Sequence, residues 1–310
     1  MTEAPSLEWR MVLARSALIF AIACAGCAAA FALWLHDLAA PQVAFLGSGN
    51  RLSLLVMEGP ARLLLATGDD PIAYENALAS VQPLFARRVD LLLIAGDGQT
   101  LLAPMVANRD PHLRIAAAIA PLPPSPEAHA LGSITPLRTP TRIRLGPTVS
   151  VVVETALPFG ADPASTFPAW RATIERGETR IVVLSDGEAA ALFPPAPPAS
   201  VLAVSGDDPI AAWEATPAVA MVMHADAMSG PEMRESLSAA ARPPQWAFRV
   251  APSEALRLHF VTGGVALPSA SAQAHRLGAA TPAAALRPQR TALVARVNRR
   301  GRLWRAGTRP

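Results

Sequence analysis

The chain has 310 residues, half of them hydrophobic, with 31 prolines and a formal charge of +3. That is ample for one large core or two small ones, and it excludes a chain too polar to fold. The net charge is too small to imply nucleic-acid binding by itself. All 27 basic residues are arginine, and the last acidic residue is Glu254, so the positive charge gathers in the C-terminal tail.

The first element is the uncharged run Ser16–Leu35, "SALIFAIACAGCAAAFALWL". Its length suits a helix across a bilayer core. Arg10 and Arg15 precede it, and His36 and Asp37 follow it. The positive-inside rule then places residues 1–15 in the cytoplasm and the rest of the chain outside. Cleavage as a signal peptide is the competing reading, and Pro41 after "LAA" opposes it. Cys24 and Cys27 form a C-x-x-C pair inside this apolar run. No other cysteine exists to complete a tetrahedral metal site, so they read as small packing residues.

From Pro41 the pattern is strand, turn, strand. "QVAFLGSG" reads as a strand, and "RLSLLVMEG" with "ARLLLATG" as a hairpin around Glu58-Gly59-Pro60. "DPIAYENALASVQPLFARR" has helical spacing, with Pro71 near its start and Asp69 or Asp70 as N-cap. "VDLLLIAG" is a short buried strand, residues 101–108 read as a helix, and "HLRIAAAI" as a strand. Pro121–Pro140 is proline-rich and reads as a loop. "TRIRLG" and "TVSVVVETA" resume strands, and "PAWRATIERGETRIVVLSD" is a hairpin turning at Arg176-Gly177-Glu178. A short helix "GEAAALF", strands "VLAVSG" and "AVAMVMHA", a helix "GPEMRESLSAAAR" and strands "AFRVAP" and "LRLHFVTGGVAL" complete the domain. Beyond Pro268 the Ala/Pro/Arg mixture has little periodicity and reads as disordered.

The reading is an α/β sandwich of two successive blocks. The hexapeptide "GDDPIA" occurs at Gly68–Ala73 and again at Gly206–Ala211, each time after an apolar strand. The copies read as corresponding strand-to-helix turns.

This order resembles a metallo-β-lactamase fold, an αββα sandwich of two pseudo-symmetric halves. It is most similar to the C-terminal hydrolase-like domain of ComEC-type DNA internalisation proteins, over residues 41–267. "VAFLGSGNRLSLLVMEGPARLLLATG" resembles that family's opening strands, "VDLLLIAGDGQTLLAPM" its metal-motif segment, and "AWRATIERGETRIVVLSDGEAAAL" its later hairpin. "ASVLAVSGDD" stands where the family has His-His-Gly, and "AVAMVMHADAMSGPEMRESL" resembles its last strand and helix. A membrane segment before the domain also suits the family.

The family's H-x-H-x-D-H motif supplies zinc ligands. At the matching positions this chain has Gly96, Gly98, Thr100 and Leu101, and none can replace an imidazole or that carboxylate. Gly206 and Asp207 stand against the later histidines, and Gly230 against another. Asp186 alone keeps a ligand type, at the position where the family's aspartate bridges two metals. The resemblance therefore implies a pseudoenzyme with a binding or assembly role, with DNA uptake as the family's process and no expected cofactor.

Two other readings stay open. Asp69, Asp70, Asp97, Asp186, Asp207 and Asp208 all lie at carboxyl ends of expected strands. A subset such as Asp69, Asp97, Asp186 and Asp207 could hold Mg²⁺ or Mn²⁺ for phosphodiester hydrolysis, or Ca²⁺. Alternatively they are turn and cap residues. His224, after a buried strand, is the one histidine placed at the expected rim. The tail arginines Arg287, Arg290, Arg296, Arg299, Arg300, Arg302 and Arg305 have no acidic neighbours and could bind DNA or anionic lipid.

Overall fold

The computed structural model describes residues 15–29, 32, 40–82, 88–95, 114–115, 118–120, 134–137, 139–161, 168–227, 230–242, 244–261, 263–266, 296–297 and 303–305. The chain divides into two units, Met1–Ala40 and Pro41–Pro310.

In the first unit, residues 15–29 form a helix, α1. Leu18, Ile19, Phe20 and Ile22 are all exposed on it, as are the free thiols Cys24 and Cys27. No described helix is long and apolar enough to cross a membrane. Residues 30, 31 and 33–35 of the expected span lie outside the described residues.

The second unit opens with three antiparallel strands, β1 (Gln42–Gly47), β2 (Leu52–Glu58) and β3 (Ala61–Ala66). The β2–β3 turn is the expected Gly59-Pro60, with Gly59 at φ +57°. Helix α2 (Pro71–Val81) follows, then β4 (Arg88–Val89) and β5 (Leu91–Ile94), the latter parallel to β3. Strands β6 (Arg114–Ile115), β7 (Ala118–Ala120) and β8 (Ile134–Pro136) come next. Among the described residues β4 pairs only with β6, and β7 and β8 extend the β5 side in parallel. The proline-rich stretch is therefore not wholly loop. It contributes β8 at a sheet edge, where Pro136 removes no ladder bond that an inner strand would need.

The second sheet starts with β9 (Thr141–Arg144), β10 (Ser150–Ala156), β11 (Ala169–Arg176) and β12 (Thr179–Leu184), all antiparallel. Then come helix α3 (Ala189–Leu192), β13 (Ala199–Val204), helix α4 (Pro209–Ala215), β14 (Ala218–His224), helix α5 (Gly230–Ala239) and β15 (Trp246–Val250). Strands β12 to β15 are mutually parallel, as helical crossovers require.

Two strands then leave this block. β16 (Ala255–Val261) pairs antiparallel with β1, and β17 (Gly264–Ala266) pairs with β16. The two blocks are thus not strictly successive, because the chain's later part returns to the first sheet. The tail also departs from expectation. β18 (Arg296–Val297) pairs with β16, and β19 (Leu303–Arg305) pairs with β15. The disordered reading does not hold for these five residues. The sheet orders are β17-β16-β1-β2-β3-β5-β7-β8 and β19-β15-β14-β13-β12-β11-β10-β9.

The layers follow from which residues are buried together. The inner faces of both sheets share one core, with Val43, Phe45, Leu54 and Leu63 from the first and Val151, Ile174, Val183 and Val222 from the second. Burying each such side chain contributes about 1.5–3 kcal/mol. On the outer face of the first sheet, Tyr74, Ala77, Leu78 and Val81 of α2 pack with Leu55, Met57 and Leu64. On the outer face of the second, Ala189, Ala212, Trp213 and Leu237 of α3, α4 and α5 pack with Leu184, Leu202 and Met221. The domain is an α/β sandwich of two sheets with helices on both outer faces. The expected helix at 101–108 lies outside the described residues.

Candidate functional site

Strands β1, β3, β12 and β13 each run directly into a hydroxyl residue: Ser48, Thr67, Ser185 and Ser205. The Leu52 N–H donates to the Ser205 carbonyl at 3.0 Å, which joins the two sheets at this rim. Thr67 Oγ1 donates to the Leu52 carbonyl at 2.6 Å, and Ser205 Oγ donates to the same carbonyl at 2.9 Å. Thr67 Oγ1 and Ser205 Oγ are 3.2 Å apart. Ser53 Oγ donates to the Thr67 carbonyl at 2.7 Å and accepts from the Thr67 N–H at 3.0 Å. Ser48, Ser53, Thr67, Ser185 and Ser205 are all buried. Buried hydroxyls must be bonded, and here they bond the strand ends to one another.

Four of the candidate carboxylates, those of Asp69, Asp70, Asp186 and Asp208, accept local hydrogen bonds. Asp70 Oδ1 accepts from the Ile72 and Ala73 N–H groups at 2.9 and 3.0 Å, capping α2. Asp208 Oδ1 accepts from the Ala211 N–H at 3.3 Å, capping α4. Asp69 Oδ1 accepts from the Asn50 N–H at 3.2 Å. Asp186 Oδ1 accepts from the Ala189 N–H at 2.8 Å, and its Oδ2 accepts from Ser185 Oγ at 3.0 Å. The Asp207 carbonyl accepts from the Gly187 N–H at 2.8 Å.

Arg51, which the sequence did not single out, crosses between the sheets. Its Nη1 donates to the Ser185 carbonyl at 3.2 Å. A Cβ built on Gly206 would lie 2.1 Å from that Nη1 and 2.8 Å from the Ser185 carbonyl oxygen. The absence of a side chain at Gly206 is therefore what admits the guanidinium. The Ser185 carbonyl and Gly206 thus flank an organic cation.

His224 ends β14 and is buried. Its Nδ1 accepts from the Asp226 N–H at 3.2 Å, so the neutral ring carries its proton on Nε2. Nε2 is buried. Burial holds the imidazole pKa below its usual value, and Arg249 adds to this. Asp226, the Gly49 backbone and Asp69 act in the opposite direction and do not overcome it.

Among the described residues, no three His, Cys, Asp or Glu side chains are grouped to hold a metal ion. Among the described residues, Asp69, Asp186 and Asp207 thus form no oxygen cage. Gly96, Asp97, Gly98, Thr100 and Leu101 lie outside the described residues, as do Arg287, Arg290, Arg299, Arg300 and Arg302. Arg296 and Arg305 lie in β18 and β19, and Gly230 is the first residue of α5. The hydroxyl after each of four strand ends was visible in the sequence. Its meaning was not, because the bonds it makes join residues far apart in the chain.

No protein-family model matches the sequence, and no curated protein matches it. Solved structures with a similar course exist. Zn²⁺-bound PqqB from Methylobacterium extorquens is 12% identical, with a TM-score of 0.42, over 59% of this chain and 88% of that one. A protein of Parabacteroides distasonis assigned as a metal-dependent hydrolase is 10% identical, also at TM-score 0.42, over 69% and 94%. Rm3 metallo-β-lactamase is 16% identical, at TM-score 0.36, over 58% and 84%. Likeness at this level assigns neither activity nor metal to this chain.

Proposed function

We propose that this chain is a metallo-β-lactamase-like scaffold without its metal centre, acting by binding or assembly and not by hydrolysis. The observation that carries the reading is Arg51 with its Nη1 on the Ser185 carbonyl, in the space left by Gly206. A guanidinium offers only donors and stays protonated. It cannot generate a hydroxide nucleophile from bound water as a divalent metal does. The glycines, threonine and leucine at 96, 98, 100 and 101 support the same reading from the sequence.

The test is turnover of phosphodiester and β-lactam model substrates with added Zn²⁺, Mn²⁺ or Mg²⁺. No turnover above the blank is expected. Metal-dependent turnover lost in Asp186→Ala overturns the proposal and favours a hydrolase using rim carboxylates.

The proposal extends to placement. The segment Ser16–Leu35 anchors the chain in a membrane, uncleaved, with the sandwich outside the cytoplasm; its uncharged length and the Arg10/Arg15 bias support this. A reporter fused after Pro41 is active outside the cytoplasm if this holds, and active only inside if it does not. The Arg-rich tail is the element proposed to meet DNA or anionic lipid, in keeping with a role near DNA uptake. Such binding weakens steeply with salt and is lost on removal of residues 269–310. Equal binding by the truncated chain contradicts it.

A further inference from the structure

The opposite end of the sandwich carries an open cavity of about 410 Å³, lined by Thr148, Arg176, Gly177, Glu178, Thr179, Val261 and Gly263. β12 begins here at Thr179 and ends at the rim at Leu184, so the two places are separated by about 17 Å along the strand. Two turns form its walls: the β11–β12 turn with Gly177 at φ +58°, and the β16–β17 turn with Gly263 at φ +79°.

Arg176 differs from its neighbours on the same sheet. Arg142 and Arg180 pair with Glu175 at 3.4 and 3.3 Å, and Arg171 pairs with Glu154 at 2.7 Å. Arg176 is half-buried and has no carboxylate within ion-pair distance among the described residues. Its Nε donates to Thr148 Oγ1 at 3.2 Å, and its Nη1 donates to the Phe260 carbonyl at 2.7 Å. Both partners are neutral, and they fix the plane of the fork. The nearby acid, Glu58, is spent elsewhere: it accepts from the Thr148 N–H and hydroxyl and from the Val149 N–H. Thr148 therefore stands between Glu58 and Arg176. With both protein partners neutral, a bound anion gives the half-buried guanidinium a charge-assisted partner. The unused N–H groups of a fixed guanidinium suit a planar carboxylate in two-point contact.

We propose that this cavity binds a small carboxylate on Arg176, with the Thr148 hydroxyl orienting the guanidinium and the Glu178 side chain limiting affinity by like charge. The site is independent of the rim and of whether the rim holds metal.

Isothermal titration of the full-length protein with malonate, against chloride at equal ionic strength, tests it. Saturable one-site binding is expected, weakened about tenfold or more in Arg176→Gln through loss of a charge-assisted contact. Arg176→Lys keeps the charge, loses the fork and is expected to fall between. Glu178 is exposed on the cavity wall, so Glu178→Gln is expected to keep the fold and to tighten binding. Absence of saturable binding in the folded wild type, or equal affinity in Arg176→Gln, overturns the proposal. So does weaker binding in Glu178→Gln.

Discussion

In the first GDDPIA turn the left-handed residue is Gly68, at φ +106°, and Asp70 is extended at φ −109°. In the second, Asp208 itself takes the left-handed step at φ +52°. Six identical letters follow two backbone paths. Both nevertheless leave a parallel-paired strand, cap a helix with the second aspartate and put proline in its first turn. The difference comes from what each turn packs against. Gly68 lies on Ser48, whose carbonyl accepts from the Asp69 N–H. The second turn lies on Gly187, whose N–H donates to the Asp207 carbonyl and whose Cα faces the Asp208 carbonyl. Local sequence specifies strand, cap and helix; long-range contacts choose the path between them.

The largest effects are expected at the glycines, which serve different ends in the two copies. A Cβ on Gly68 would meet the Ser48 carbonyl oxygen at 2.1 Å with a left-handed backbone. Gly68→Ala should cost about 3 kcal/mol or more, combining left-handed strain with overpacking. Gly206→Ala meets chiefly the movable end of Arg51 and should cost less, about 1–2 kcal/mol. If Arg51 is what Gly206 accommodates, the double variant Arg51→Ala with Gly206→Ala costs less than the sum of the singles. Urea denaturation of the four proteins checks this, and strict additivity would contradict the assignment.

The caps come next. Asp70 accepts two N–H groups at good distance and Asp208 accepts one at 3.3 Å. Asp70→Ala is expected to lose about 1–2 kcal/mol, and Asp208→Ala about 0.5 kcal/mol. Asp208→Gly should be close to neutral, since glycine accepts positive φ freely. A larger loss at Asp208 than at Asp70 would reverse the reading of the two turns.

Much of this was legible beforehand, and what was not has a common cause. The hairpins at Gly59-Pro60 and Gly177, the buried strands and the Asp-Pro helix starts follow from local rules. The return of β16 to β1 does not, because nothing near Ala255 marks a partner over two hundred residues away. β8, β18 and β19 are two or three residues long and carry no period of their own. At the rim, His224 was foreseeable as a residue ending a buried strand. Arg51 was not, since its partner Ser185 is 134 residues on.

The smallest expected effects concern His224, at the end of β14. Its folded-state pKa lies below the ordinary 6.5, so the unfolded chain takes up a proton that the folded ring resists. Stability contributed by the neutral ring is complete above pH 6.5 and falls as pH drops from there toward the folded value. His224→Gln should flatten the stability profile in that window. Asp69→Asn removes a group that favours protonation, so the ring's pKa should drop further, as followed by NMR titration. An upward shift would contradict the influence of the Asp69 charge on the ring.

The most direct measurement is elemental analysis of the purified full-length protein after incubation with excess zinc and removal of unbound metal. The account predicts no stoichiometric zinc, and no difference between wild type and Asp186→Ala. One or two zinc ions per chain, lost in Asp186→Ala, would contradict it and make the rim a metal centre.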